Sequence, residues 1–537
     1  MTVDRNDGPK PAATDPVGPG DAAPAAVPPG LTKRALGGMA WTFSGQGIQG
    51  VVQLLVIMAL GRLLSPSDFG LFGAAAVVVA LSQIVSQIGV GPAIVQRKEL
   101  DDEHVRVAFT ISGVLGVVLG VVVWAAAPAL AAFYRIPSVE PVLRGVAFLF
   151  PIDGLNTVGE SLLTRQLRFR LFVAMDVASY VLGYACVGVL LAWQGYGVWA
   201  LVGANLSQVT VRTIGMYLAT MHPVRPSLNV RAGRDLLRFG FGHSLAQLGT
   251  VLSQQGDNMV VGRWLGPVAL GVYGRAYSLM VLPATVFGKT VNRVLFPVMS
   301  QVQDERSRLA GAYERSLAVV ALVALPISAF LWVVAPEFIP LLLGPKWMAV
   351  VLPFRMFSIS LLFRMSSKIS DASTKAAGAV YSRALLQGVF AVMVVGGSLI
   401  GQRWGIGGVA VAVSVAMGVN WIMMAALSRS VTGLSWPRFI QAHVPGALLA
   451  VLLGLVVAGV AGAVRTAHLG GLPVLAVSAL AAVAVVAAVS HYRLALFLGP
   501  HGMWASAVAG EFVGKVKRKL RGFMGGRADR LANASSE

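Results

Sequence analysis

The sequence predicts an all-α integral membrane protein. About fourteen transmembrane helices form two six-helix bundles of the same orientation, followed by two further helices at the carboxy end. Three observations carry this. Of the 537 residues, 56% are apolar and 12% are charged, with a mean hydropathy of +0.73; soluble domains carry roughly 25% charged residues. Apolar runs of about twenty residues, long enough to span a bilayer, recur from Ala35 onward. The chain also matches itself at an offset of 201 residues.

Taken in order, residues 1–30 hold seven prolines among Ala, Gly and Asp. Such a segment has too little apolar surface to form a core and reads as a disordered tail. It lacks the basic start and apolar stretch of a signal peptide. Spans are then expected at 37–60, 70–95, 107–131, 145–163, 172–193, 198–220, 239–262, 270–299, 312–334, 348–373, 384–401, 406–427, 441–463 and 472–492. Continuous runs of this length exclude alternating barrel strands. Residues 496–537 form a basic tail in which Lys515, Lys517, Arg518, Lys519 and Arg521 stand beside Phe512, Val516, Leu520 and Phe523. That pattern reads as an interfacial amphipathic helix or a solvated basic tail.

The basic residues test the count, because connections on the two sides of a membrane differ in Lys and Arg content. With fourteen spans, the side of the termini holds 28 Lys and Arg, and 16 without the tails. The other side holds 7. Both termini are thus expected in the cytoplasm. The net charge of +20 is mainly a topology signal and does not mark a nucleic-acid binder. The connections are too short for a soluble catalytic domain. One cysteine, Cys186, excludes a disulfide framework and a CxxC metal site.

At the 201-residue offset, Gln46, Gln53, Met58, Gly61, Arg62, Leu64, Pro66, Gly70, Gly73 and Ala75 lie over identical residues. These are Gln247, Gln254, Met259, Gly262, Arg263, Leu265, Pro267, Gly271, Gly274 and Ala276. Phe72 lies over Tyr273. The offset spans six helices, so both copies keep one orientation, as in transporters built from parallel repeats. The units expected are 31–221, 222–429 and an appendage at 430–495, with a cavity between the first two.

The stretches Gly61-Arg-Leu-Leu-Ser-Pro-Ser-Asp-Phe-Gly-Leu-Phe, Ile88-Gly-Val-Gly-Pro-Ala-Ile-Val-Gln-Arg and Asp257-Asn-Met-Val-Val-Gly-Arg-Trp-Leu-Gly through Leu295-Phe-Pro resemble the bacterial polysaccharide-transporter family. These are Wzx-type flippases of lipid-linked oligosaccharides. Their superfamily, of multidrug, oligosaccharidyl-lipid and polysaccharide exporters, also holds the peptidoglycan-precursor flippase. The resemblance covers roughly 31–495. It implies an inner-membrane protein that moves an undecaprenyl-pyrophosphate-linked repeat by alternating access, for exopolysaccharide, capsule or O-antigen assembly. The implied partners are that lipid-linked oligosaccharide, membrane lipids and a polysaccharide polymerase or export machinery; no nucleic acid and no cofactor is implied.

Thirteen ionisable residues fall inside the expected spans. At roughly 2.5–3.5 kcal/mol each at a bilayer centre, they need a polar interior. Arg275 and Arg293 share one azimuth at 100° per residue, and Lys289 lies about 40° away. Ser360, Arg364, Ser367, Lys368 and Asp371 fall on one face of another helix. With Arg212, the cations Arg275, Lys289, Arg293, Arg364 and Lys368 are expected to line a cavity that holds a diphosphate. Gln46, Gln53, Gln247, Gln254 and Asn258 are expected to complete its polar wall. Asp257 and Asp371 are candidates for coupling to an ion gradient. Internal ion pairs, Lys368 with Asp371 or Asp257 with one of Arg275, Lys289 and Arg293, are the simpler alternative. Arg62 and Arg263 read as anchors at helix ends.

Other motifs fail on context. Gly45-Gln-Gly47-Ile-Gln-Gly50 lies inside an apolar run with no strand before it, and Gly288-Lys289-Thr290 lacks the leading glycine of a P-loop. No metal site is expected. The rival readings are a multidrug exporter, which would want an acidic cavity, and a membrane polysaccharide polymerase or glycosyltransferase. The latter would want a large outer loop or an acidic pair near the membrane.

Overall fold

A computed structural model describes residues 49–86, 90–97, 100–227, 229–492, 496–500 and 503. The described residues are almost wholly helical, in seventeen α-helices, one π-helix and two 3-10 turns. Helix α1 runs Gln49–Leu63, α2 Pro66–Ser86, α3 Val90–Gln96 and α4 Asp102–Tyr134. Next come α5 Val139–Val146, α6 Leu149–Arg165, α7 Phe169–Tyr180, a π-helix Val181–Gly188, α8 Val189–Trp193 and α9 Val198–Thr220. Then α10 spans Val230–Gln301 and α11 Arg306–Leu343, with α12 at Val351–Ile359, α13 at Leu361–Ala376 and α14 at Val380–Gly401. The chain closes with α15 Gly405–Thr432, α16 Trp436–Thr466 and α17 Gly471–His491.

Among these residues, eight helical stretches are long and apolar enough to cross a membrane, or nine if the pair Pro345–Ile359 and Leu361–Ala376, bent by 41°, is one span. The chain is therefore a multi-pass membrane protein. Length and composition alone do not recover all fourteen expected spans. Some spans are interrupted, and others run together in one stretch. The span expected at 145–163 is divided between α5 and α6. The span expected at 70–95 is divided between α2 and α3.

The boundaries follow local chemistry. Asp101 caps α4 by accepting from the His104 backbone N–H at 2.9 Å. Helix α10 is a continuous helical stretch except at Gly266, whose φ of 86° breaks it into two limbs. A side chain at that position would be strained. This break is the connection expected between the spans at 239–262 and 270–299. Helix α4 packs on α6 and α6 on α9, whereas α10 packs on α13 and α14, and α14 on α15. Helices α16 and α17 pack on α11.

The two repeat copies meet where α2 crosses α10. A Cβ on Gly70 would lie 1.7 Å from the Pro267 carbonyl oxygen, and one on Gly271 1.8 Å from that of Pro66. Residues aligned at the 201-residue offset thus make reciprocal contacts. The same end is tied by the segment after α11. The buried Trp347 donates its Nε1–H to the Gly61 carbonyl at 2.8 Å, Lys346 donates to the Arg62 carbonyl at 2.8 Å, and Arg62 donates to the Leu341 carbonyl at 2.7 Å. Phe69 meets the Trp347 ring edge-on at 5.4 Å. We call this the tied end.

The connection between α9 and α10 lies against α4. Ser227 donates its N–H to Thr110 Oγ1 at 3.0 Å and its hydroxyl to Glu103 at 2.5 Å. His222 is 5% exposed, shares a 2.8 Å bond with Thr220 Oγ1 and meets the rings of Phe109 and Tyr217. Its Nε2 is buried without a partner. Burial holds the imidazole below its ordinary pKa. The neutral ring is the folded form, so its contribution is present above about pH 6.5 and is lost as pH falls below that value. The protection of the residue 221–227 amides, measured relative to their intrinsic exchange rates at each pH, is expected to fall on acidification below this value. His222→Phe is expected to flatten that response.

Candidate functional site

Two of the expected cations lie in one pocket on α13. Arg364 donates from Nη2 to the Tyr277 hydroxyl at 2.7 Å, and its guanidinium lies 4.9 Å from that ring's centroid. Lys368 runs its methylene stem over Gly288 of α10, 3.4 Å from where a Cβ there would sit. Gln254 from α10 and Asp371 from α13 line the same pocket. The spacing of Arg364, Lys368 and Asp371 along one helix face thus brings them to one cavity.

For Lys368 the ion pairing differs from the simple alternative; for Asp257 the side chains of Lys289 and Arg293 lie outside the described residues. Asp371 does not pair with Lys368. It is held by Lys375 Nζ at 2.7 Å and by Arg383 Nε from α14. Asp257 pairs with no base among the described residues. It is 1% exposed, accepts the Tyr273 hydroxyl at 2.6 Å and the Asn258 backbone N–H at 2.8 Å. Asn258 donates its side-chain amide to Gln255 at 3.0 Å.

Arg275 stands apart from that pocket. It projects from α10 onto α2, with its guanidinium 4.2 Å from the Phe69 centroid. It has no acid at ion-pair distance among the described residues, and its Nε is buried and unpartnered. The stacked pair Tyr180 and Tyr184, 5.1 Å apart at the start of the π-helix, lies within its electrostatic reach. π-helical turns are frequent at functional sites.

Arg212 lies in another place again. It reaches Glu160 of α6 at 3.1 Å and Asp176 of α7 at 3.5 Å. Gln49 of α1 donates to Asp176 at 3.2 Å, and Asn156 to Glu160 at 3.2 Å. Arg212 is therefore internally neutralised, unlike Arg275 and Lys368. Gln53 sits half-buried on α1. Gln46 lies outside the described residues, as do the side chains of Gln247, Lys289 and Arg293; the last three positions are helical in α10. The two tails, 1–30 and the basic segment beyond 503, also lie outside them. Arg62 and Arg263 sit at helix ends; Arg263 lies over Phe133 and Trp264 at 5.7 and 5.6 Å.

Sequence reasoning missed Arg383, Gln387 and Asn420, which complete the pocket around Arg364 and Lys368. Arg383 reads as a loop cation because it precedes an apolar run. Its i+4 spacing to Gln387 and i+7 spacing to Phe390 is the signal that places all three on one face.

The fold and this interior define a class: a helical multi-pass membrane protein with charged pockets buried between its helices, the build of a membrane transporter. A family model described as "Polysaccharide biosynthesis protein" matches residues 59–352. The chain belongs to that family. It is 25% identical to the teichuronic acid biosynthesis protein TuaB of Bacillus subtilis over 329 residues, which are 60% of this chain and 67% of that protein. It is 27% identical to the succinoglycan biosynthesis transport protein ExoT of Rhizobium meliloti over 296 residues, 55% of this chain and 60% of the relative. The ExoT match thus spans less than two thirds of that protein. Among solved structures, the lipid II flippase MurJ in its inward closed conformation superposes with a TM-score of 0.69 at 13% identity, covering 86% of this chain and 100% of that one. At that identity the likeness concerns the fold.

Proposed function

We propose that this protein is a transporter, not an enzyme, and that it flips a lipid-linked oligosaccharide across the cytoplasmic membrane by alternating access. The observation that carries the reading is the surplus of positive charge held between membrane helices of the second repeat. Arg275 and Lys368 have no acid partner among the described residues, and Arg364 is held by a neutral hydroxyl. Uncompensated cations are costly at membrane depth unless an anionic ligand answers them. A diphosphate linked to a polyprenol, undecaprenol in this reading, is such a ligand. Membership of a polysaccharide biosynthesis family, a relative named as a transport protein and the flippase-like fold support the same conclusion.

In this reading the chain crosses the membrane fourteen times with both termini in the cytoplasm. Residues 31–221 and 222–429 rock against each other, 430–495 flank the second bundle, and a polymerase or export machinery takes the product. Arg275, Lys289, Arg293, Arg364 and Lys368 between them meet the anionic groups of the substrate, with Gln53, Gln254 and Asn258 on the polar wall. Asp257 and Asp371 are engaged by Tyr273 and by Lys375 and Arg383 respectively, so ion coupling through either requires those contacts to open.

The test is which leaflet holds the lipid-linked repeats in a strain lacking the chain, read with a membrane-impermeant glycosidase or lectin on spheroplasts. Accumulation in the inner leaflet with loss of surface polysaccharide is expected. Normal delivery to the outer leaflet, with altered drug sensitivity, would favour a multidrug exporter instead. Lys289→Ala with Arg293→Ala is expected to abolish export at normal protein levels; normal export from that double variant would remove both residues from the site.

A further inference from the structure

The pocket among α10, α13, α14 and α15, a cavity of about 170 Å³, has a lining that a diphosphate alone does not require. Its charges are Arg364, Lys368, Arg383 and Asp371. Asp371 is already satisfied by Lys375 and Arg383, which leaves Lys368 and Arg364 without an ion pair among the described residues. Arg364 spends one Nη on Tyr277, while its Nε is buried and unpartnered. Its Nη2 also lies 3.7 Å from the Met417 sulfur, so Nη1 of Arg364 and the Lys368 ammonium are the donors left for an acid.

The rest of the lining is neutral and of two kinds. Gln254, Gln387 and Asn420 bring carboxamides, each both donor and acceptor, with one N–H of Gln387 already given to Ser253 at 2.6 Å. Acceptor oxygens give nothing to a phosphate, which itself only accepts, whereas sugar hydroxyls use both halves of an amide. Tyr277, Phe363 and Phe390 bring aromatic rings to the lining, apolar surface of the kind that packs on the C–H face of a pyranose. Phe363 is held in place by stacking on Trp421 at 5.2 Å. Arg275, the cation that faces the other repeat, is not among the lining residues.

We infer that this pocket binds an acidic sugar, a pyranose bearing a carboxylate, and that the diphosphate of the same substrate is held apart from it by the wall that carries Arg275. The inference rests on the flippase reading for the identity of the whole substrate, but the binding it describes needs no transport. Arg364 and Lys368 take the carboxylate; the amides and rings take the sugar.

The experiment uses the purified full-length chain in lipid nanodiscs and three probes: methyl β-D-glucuronide, methyl β-D-glucoside and inorganic pyrophosphate. Binding is followed by saturation-transfer NMR and calorimetry. The glucuronide is expected to bind about tenfold more tightly than the glucoside, as a charge-assisted hydrogen bond implies, and pyrophosphate is expected not to displace it. Lys368→Ala is expected to remove most of that preference. Asn420→Ala is expected to weaken both sugars alike, and thermal unfolding of each variant reports whether it is folded. Competitive displacement of the glucuronide by pyrophosphate, equal affinity for the two sugars, or no binding of either by the folded wild type would each overturn the inference. The leaflet measurement stands separately. Flipping without glucuronide binding would sink the acidic-sugar site and leave the transport reading intact, whereas binding without flipping would do the reverse.

Discussion

Gly271→Ala is expected to abolish export while leaving the protein in the membrane. The new methyl carbon would sit 1.8 Å from the Pro66 carbonyl oxygen, and the atoms it meets are backbone, with no flexible side chain to move aside. Helix α2 must then withdraw from α10. Overpacking of this kind costs on the order of 1–3 kcal/mol, which shifts a two-state closure by roughly 5–150-fold. Gly70→Ala is expected to do the same through Pro267. Gly274→Ala is the control, because no atom lies within 4 Å of its added carbon. Surface polysaccharide reports the activity. Labelling of Leu64→Cys, buried at the tied end, by an impermeant maleimide in a Cys186→Ser background reports opening of that end. Wild-type export and labelling from Gly271→Ala would mean that the crossing is not needed in the working cycle.

Asp257→Ala is expected to be the most destabilising of the charge removals. It strands the Tyr273 hydroxyl, whose residue is 0% exposed, without an acceptor, at about 1–3 kcal/mol for an unmade buried bond. It also removes the anion that faces Arg364. Asp257→Asn keeps an acceptor for Tyr273 and is expected to recover most of the thermal stability. If export remains lost in Asp257→Asn, the negative charge itself is needed. If export returns with stability, the residue serves packing alone. Equal stability of the alanine variant and wild type would remove the Tyr273 bond from the account.

Much of this architecture was legible in the residues. The apolar runs located the helices because membrane helices keep their backbone bonds within one segment. The duplication was legible because Gly70 and Gly271, with Pro66 and Pro267, face one another across a contact that admits no larger residue. The site was legible only along single helices. Arg364, Lys368 and Asp371 share a face by spacing alone, but that spacing cannot say that Asp371 is taken by Arg383 from the next helix. Nor can it separate Arg212, neutralised by Glu160 and Asp176, from Arg275, which meets Phe69. Those partners lie on other helices, and which helices are neighbours is a property of packing.

The tied end also bears on the order in which the chain is made. The carbonyls of Gly61 and Arg62, in the last turn of α1, are bonded by Trp347 and Lys346, 286 and 284 residues later. Helix ends leave their final carbonyls without partners inside the helix. Helix α1 therefore waits for its cap until a segment 284 residues further along has been synthesised. An amino-terminal half made alone ends with those groups open, and separately expressed halves must find each other before either is complete.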